Sequence, residues 1–156
     1  MSVLHRRAMI GALLGSASAF AFAGAAFAQS RDDYPDSAKW DGLSKTKIGT
    51  DAKGAFTAAH PPSVKALAGK PYEITGFMLP LEEKAVTAHF ILIRFPINCP
   101  FCDPSNPNES IEVFTDKPVN FSNGAVKVKG MFSLQDEPGS GLFFRLSQAT
   151  AVETKS

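Results

Sequence analysis

Short apolar runs recur along the second half of the chain with the length and spacing of β-strands. Five runs are rich in Val, Ile, Phe and Thr, and turn signals of Pro, Asn, Asp and Gly separate them. They cover residues 72–79, 86–95, 111–115, 125–134 and 141–152. Since no helical pattern lies between them, the sequence predicts an all-β, antiparallel sheet that closes on itself. We expect a small Greek-key barrel resembling the oligonucleotide/oligosaccharide-binding (OB) fold, with a β-sandwich as the alternative.

Two of these runs predict local detail. The second, VTAHFILIRF, carries apolar side chains on both faces from Phe90 to Ile93, which indicates a central strand buried on both sides. In the fourth, valines alternate with lysines until Gly130, where the alternation breaks. A glycine inside a strand pattern predicts a bulge or a tight bend.

The chain before the first strand is different in character. Residues 29–60 are polar, and Trp40 and Leu43 are the only large apolar side chains between Asp36 and Ile48. We interpret this segment as an extended N-terminal arm whose Trp40 docks on the domain, and residues 61–156 as the β-barrel domain. Within HPPSVKALAG, two prolines and a later glycine predict one short helical turn before the barrel.

Residues 1–28 have the pattern of a cleaved signal peptide. A basic pair, Arg6 and Arg7, precedes an Ala-rich apolar stretch that ends in the A-x-A cleavage signal at 26–28. Paired arginines at this place also fit the twin-arginine export route. We therefore predict cleavage after Ala28 and a periplasmic protein that is soluble, with no membrane segment after cleavage. Disulfide bonds persist in that compartment.

Charge argues against nucleic acid as a partner. The whole chain has 16 Lys and Arg against 15 Asp and Glu, and the predicted signal removes two arginines and no acidic residue. A nearly neutral exported domain lacks the basic patch with which proteins attract polyanions.

Three segments carry a resemblance to a known family: KWDGL, HPPSVKALAGKPYEITGFMLPLE and HFILIRFPINCPFC. They resemble the exported bacterial proteins grouped as the domain of unknown function DUF3299. The resemblance implies a secreted or lipid-anchored protein, metal handling beside transport systems, and an exported protein or transport-system component as partner. Family members commonly carry a histidine two residues after the cysteine. This chain instead has Cys102 three residues after Cys99, and it has no lipobox cysteine.

The stretch INCPFCDPSNP contains the two cysteines of the chain, and three interpretations of them stay open. A single disulfide between Cys99 and Cys102 fits the cysteine count and the compartment. Two thiolates also suit Zn(II) or Cu(I), with Asp103 and His89 as further ligands, although His89 lies about 30 Å of extended chain upstream. Thiol–disulfide exchange is the third, and the prolines after Cys102 oppose it because they block a helix that would activate the first thiol.

The predicted function is that of an exported, periplasmic accessory module, not an enzyme, that binds metal or a protein partner through this Cys-x-x-Cys loop. The alternatives are a thiol–disulfide redox protein, or a structural disulfide in a partner-binding domain. The residues expected to form the binding patch beside the cysteines come from the first strand and from the proline-rich stretch: Phe77, Met78, Pro80, Pro104 and Pro107.

Overall fold

The computed structural model describes residues 30–97, 106–135 and 141–154. The helical elements in these residues are two 3-10 helices (η1, Arg31–Asp33; η2, Pro107–Glu109) and two α-helices (α1, Ser37–Ser44; α2, Pro62–Lys65). The strands are β1 (Lys47–Thr50), β2 (Phe56–Ala59), β3 (Pro71–Pro80), β4 (Val86–Ile93), β5 (Ser110–Asn120), β6 (Ala125–Leu134) and β7 (Phe144–Glu153). All five strand runs of the sequence are therefore present, each beginning within three residues of its predicted start, while β5 continues five residues beyond its predicted end.

The last five strands form a closed barrel in the order β3-β4-β5-β7-β6. Their pairings are antiparallel except that of β5 with β7, which is parallel. Counted within the barrel, the strand order is 1-2-3-5-4. This is a Greek-key barrel of five strands that resembles the OB-fold, and it confirms the predicted fold class.

The barrel encloses one apolar core to which every barrel strand contributes, as the alternation of side chains on paired strands requires. In β6, Val126 and Val128 face this core, while Lys127 and Lys129, which alternate with them, face outward. The pairing of β6 with β7 shifts at Gly130, where an added Cβ would lie 2.7 Å from the Ser147 carbonyl oxygen. The predicted bulge at this glycine is confirmed.

Strand β4 is buried on both faces only over its second half. Phe90 and Leu92 belong to the core, and Ile93, on the opposite face, is 4 % exposed. The first half is more open: Val86 is 48 % exposed. The two-sided burial that the apolar run predicts thus applies to the end of the strand that leads into the cysteine-containing loop.

The N-terminal arm is more ordered than the extended chain expected from its polar composition. It contains η1, helix α1 and an antiparallel hairpin of β1 and β2. Helix α1 buries Trp40 and Leu43, which are three residues apart and share one helical face. Two well-placed apolar side chains are enough to dock a short helix, although they give no periodicity for a sequence pattern to detect. The docking of Trp40 itself is confirmed.

Helix α1 satisfies a strand edge that would otherwise be unpaired. Strand β4 pairs with β3 only from Phe77 onward, so no strand in the described residues lies on that side of the preceding part of β3. There the Trp40 indole Nε1 donates to the Thr75 carbonyl at 2.8 Å, and the Asp36 carboxylate accepts from the Thr75 amide at 2.7 Å. Lys39 Nζ donates to the Glu73 carbonyl at 2.7 Å. Buried backbone groups need such partners, and α1 supplies them with side chains.

Asp36 keeps its charge in this position. Burial raises the pKa of its carboxyl, but hydrogen bonds from Thr75 and the nearby Lys39 ammonium together outweigh burial and lower the pKa below its usual value. Asp36 also has a left-handed backbone, with φ 54°, a conformation that Asp tolerates better than most residues. An ionised acceptor therefore faces the Thr75 amide at neutral pH.

Close packing at Gly76 makes this arrangement possible. A Cβ there would lie 2.6 Å from the Ile93 carbonyl oxygen and 3.0 Å from the Trp40 ring. We therefore expect Gly76→Ala to reduce the free energy of unfolding by about 1–3 kcal/mol, as overpacking does. Denaturant unfolding followed by Trp40 fluorescence measures this loss.

Gly42→Ala is the matched control for this prediction. Gly42 lies in α1 with nothing within 4 Å of its added Cβ, so the change should stabilise the helix or leave it unaffected. Equal unfolding midpoints for Gly76→Ala and the unaltered protein would contradict the packing described.

Candidate functional site

The connections β4–β5 and β6–β7 lie at the same end of the barrel. Ile93, the last residue of β4, pairs with Ser110, the first residue of β5, and β5 begins beside the start of β7. The four predicted residues Cys99, Cys102, Asp103 and Pro104 lie outside the described residues. What the structure describes is the base of this loop, residues 94–97 on one side and 106–109 on the other.

A buried ion pair joins the two sides of the loop base. Arg94 and Glu109 are 1 % and 2 % exposed, and Arg94 Nη1 lies 2.9 Å from Glu109 Oε1. The Arg94 amide also donates to the Glu109 carbonyl at 3.2 Å. Side-chain and backbone contacts between the same two residues hold the ends of the loop together.

The arm contributes two further charges to this pair. Asp41, on α1, accepts from Arg94 Nη1 at 2.8 Å, and Arg31, in η1, pairs with the same Glu109 oxygen that Arg94 contacts. We call Arg31, Asp41, Arg94 and Glu109 the loop-base cluster. Because α1 also seals the edge of β3, the loop base and the barrel edge depend on the same helix.

Asn108 makes a second connection between the loop and the arm. Its Nδ2 donates to the carbonyls of Ser44 and Thr46, at 2.9 and 3.0 Å, just where α1 ends. The Ser44 carbonyl is among the groups that a helix end leaves without an internal partner. Pro107 precedes Asn108 at the start of η2, where its fixed backbone angle favours the turn.

Aromatic rings cover one side of the cluster. The guanidinium carbons of Arg31 and Arg94 lie 4.8 and 5.1 Å from the centroid of the Phe95 ring. Tyr34 contacts Phe95 edge-on, with centroids 5.0 Å apart, and also contacts Phe77 on β3. Phe77 of the predicted patch therefore reaches the loop base through Tyr34.

The other predicted patch residues on β3 lie elsewhere. Met78 is 3 % exposed and packs inside the barrel core, on the opposite face of the strand from Phe77. Pro80 pairs with Phe90, at the far end of the strand from the loop. Of the described patch residues, the fold thus brings Phe77 and Pro107 to the loop base.

His89 is engaged in a different group of side chains. Its Nε2 lies 3.0 Å from Glu112 Oε1, and its ring stacks on Phe114 with centroids 4.1 Å apart. The second oxygen of Glu112 accepts from both Nε and Nη2 of Arg145. Five residues of strand, roughly 16 Å, separate His89 from Arg94. Within the described residues no group of three His, Cys, Asp or Glu side chains is placed to hold a metal ion.

A cavity of about 330 Å³ lies at the same barrel end, between the β1–β2 hairpin and the β6–β7 connection. His60 fixes the hairpin there, because its Nδ1 lies 3.2 Å from Thr46 Oγ1 and its ring packs against Phe143 and Phe144. The cavity lining mixes apolar and polar side chains, including Asp51, Phe56, Gln135 and Phe143.

The sequence interpretation did not identify the loop-base cluster. One signal was present: Arg94 ends an apolar strand run, and a charged side chain in such a run needs a buried partner. The partner, Glu109, and the two charges from the arm could not be assigned without the fold, because 15 to 63 residues separate them from Arg94.

Comparison with known proteins identifies the family of the chain. The family model "Protein of unknown function (DUF3299)" matches residues 28–141, and the chain belongs to this family. A crystal structure of a DUF3299 family protein from Pseudomonas aeruginosa PAO1 is similar, with 25 % sequence identity and a TM-score of 0.48. The match covers 64 % of this chain and 70 % of that one. None of the curated proteins matches the chain.

No helix in the described residues combines the length and apolar character needed to cross a membrane.

The buried pair at the loop base should be important for stability. Among the described residues, Glu109→Ala would leave the buried Arg94 side chain with the half-exposed Asp41 as its one partner. Removing one member of a buried ion pair typically costs about 3–5 kcal/mol, and we expect a loss of this size in denaturant unfolding. Lys84→Ala, which removes an exposed pair with Glu82, is the control and should leave the midpoint nearly unchanged. Equal effects of the two variants would show that the cluster is not buried as described.

Proposed function

We propose that this chain is an exported, periplasmic binding module, not an enzyme, and that residues 98–105 are its recognition element. Its partner is an exported protein or a component of a transport system. Three kinds of support favour export and this kind of partner: the signal-peptide pattern of residues 1–28, the resemblance noted above, and the near-neutral charge.

The observation that carries the proposal is that two separate sets of contacts hold the base of the loop in place. Arg94 and Glu109 join the two ends of the loop, and Asn108 joins the loop to the end of α1. A loop fixed at its base on a closed barrel loses less conformational entropy when a partner orders it. Binding residues are commonly found on loops that a rigid scaffold positions.

In this proposal the Cys99–Cys102 pair is a disulfide that restricts the loop. Metal handling is the alternative, and the surroundings of His89 make it less favourable, because its Nε2 is already paired with Glu112 on another part of β4. A metal site that contains both thiolates would then need further ligands other than His89.

Site-specific photocrosslinking in the producing bacterium tests the proposal. A photoreactive amino acid replaces either Ile97, 61 % exposed directly before the loop, or Val152, 67 % exposed near the end of β7. Because β7 starts at the loop end of the barrel, Val152 lies at the opposite end and is a matched control. We expect one discrete protein adduct at position 97 and none at position 152.

Two further conditions make the result decisive. An excess of unlabelled protein should compete the adduct away. The adduct should persist when a chelator is present. Adducts of equal yield at both positions, or none at position 97, would contradict a recognition role for the loop. Loss of the adduct in chelator would show that metal, and not the disulfide-restricted loop alone, mediates recognition.

A further inference from the structure

Arg94 has hydrogen-bonding capacity that the described residues do not use. Its Nη1 contacts Asp41 and Glu109, whereas Nε and Nη2 are buried with no hydrogen-bond partner in the described part of the chain. Each buried donor left unpaired costs about 1–3 kcal/mol, more when the group is charged. Native proteins keep few such groups, and those they keep commonly mark a functional site or a bound group.

The two unused atoms lie on the same edge of the planar guanidinium group. This edge presents two roughly parallel N–H bonds, whose spacing matches the two oxygens of a carboxylate. A second arginine of this chain shows the edge in use. Nε and Nη2 of Arg145 donate to Glu112 at 3.0 and 2.8 Å. A carboxylate thus pairs with the same edge that, among the described residues, has no partner in Arg94.

The surroundings of Arg94 also suit a carboxylate. The guanidinium groups of Arg94 and Arg31 both lie against the Phe95 ring. The carboxylates of Asp41 and Glu109 both contact Nη1 of Arg94, which leaves its Nε–Nη2 edge for a further acceptor. Arg94 itself is 1 % exposed, and a charge-assisted hydrogen bond is stronger where water is excluded. A neutral acceptor such as a carbonyl oxygen would pair with one of the two N–H groups, whereas the two oxygens of a carboxylate pair with both.

We propose that the Nε–Nη2 edge of Arg94 is a carboxylate-binding site at the base of the recognition loop. The inference rests on the proposed function, for which it names the chemical class of the ligand: an acidic group. Two sources share this chemistry, an acidic group from outside the chain and the carboxylate of Asp103, the one acidic residue in the sequence between Arg94 and Glu109.

Thermal unfolding at constant ionic strength tests the site with acetate as the probe. If the ligand comes from outside, the unfolding midpoint of the intact protein rises with the logarithm of acetate concentration above the dissociation constant. Acetamide, the neutral analogue, has no effect. Arg94→Lys keeps the charge but loses the two-pronged edge, so it should abolish the acetate response. Arg145→Lys alters an edge that Glu112 already fills, and its acetate response should match that of the intact protein.

Asp103→Asn distinguishes the two sources. If Asp103 fills the edge, the intact protein does not respond to acetate, and Asp103→Asn lowers the midpoint and creates an acetate response that Arg94→Lys then removes. An acetate response in neither the intact protein nor Asp103→Asn would overturn the proposal.

A measurement on the intact protein guards against a variant that does not fold. The Nε–H signal of Arg94 in nitrogen–proton NMR should move downfield, saturably, with acetate in whichever of the two proteins responds. A signal that stays fixed in both would also overturn the proposal. Since neither assay needs a partner, an acetate response without a crosslinked adduct would refute the proposed function and keep the carboxylate site.

Discussion

The hydrogen bond from the Trp40 indole to the Thr75 carbonyl is the contact on which the rest of the arrangement depends. The barrel has a gap in its strand pairing where β4 diverges from β3, because backbone groups of β3 there face no strand in the described part of the chain. Helix α1 closes that place with Asp36, Lys39 and Trp40. Gly76 is the condition for this closure, since any side chain at that position would meet the Ile93 carbonyl and the Trp40 ring.

The same helix organises the candidate site. Asp41 directly follows Trp40 and reaches Arg94, so the residue that fastens α1 to β3 and the residue that pairs with the loop base are neighbours in sequence. This gives a physical role to the KWDGL segment through which the chain resembles its family. A short helix thus couples the edge of the barrel to the base of the cysteine-containing loop, and a binding event at the loop would act on a fixed support.

Strand positions could be predicted from sequence because burial inside a closed barrel imposes alternation and because turn residues separate the runs. The bulge at Gly130 and the docking of Trp40 could be predicted for similar reasons, since each depends on one residue with few alternatives. Helix α1 could not be predicted as a helix, because two buried side chains leave no periodic pattern. Met78 was assigned to a binding patch although it is buried in the core, because alternation along β3 does not say which face is inside.

The loop-base cluster shows a different limit of sequence interpretation. Arg31, Asp41 and Glu109 belong to three separate elements, and Arg94 directly follows a fourth, β4. Their pairing follows from the three-dimensional closure of the arm over the barrel. The sequence indicates the cysteines as the candidate site, whereas the described structure indicates the charged side chains at the base of the loop.

Hydrogen exchange in Trp40→Phe tests the coupling between α1 and the loop base most directly. Phenylalanine keeps the ring packing but removes the donor to Thr75, so α1 should open more often. The account predicts that the Arg94 amide, which donates to Glu109, loses protection by the same factor as the amides of α1, while core amides of β6 keep theirs. Unchanged protection of the Arg94 amide beside a fast-exchanging α1 would contradict it.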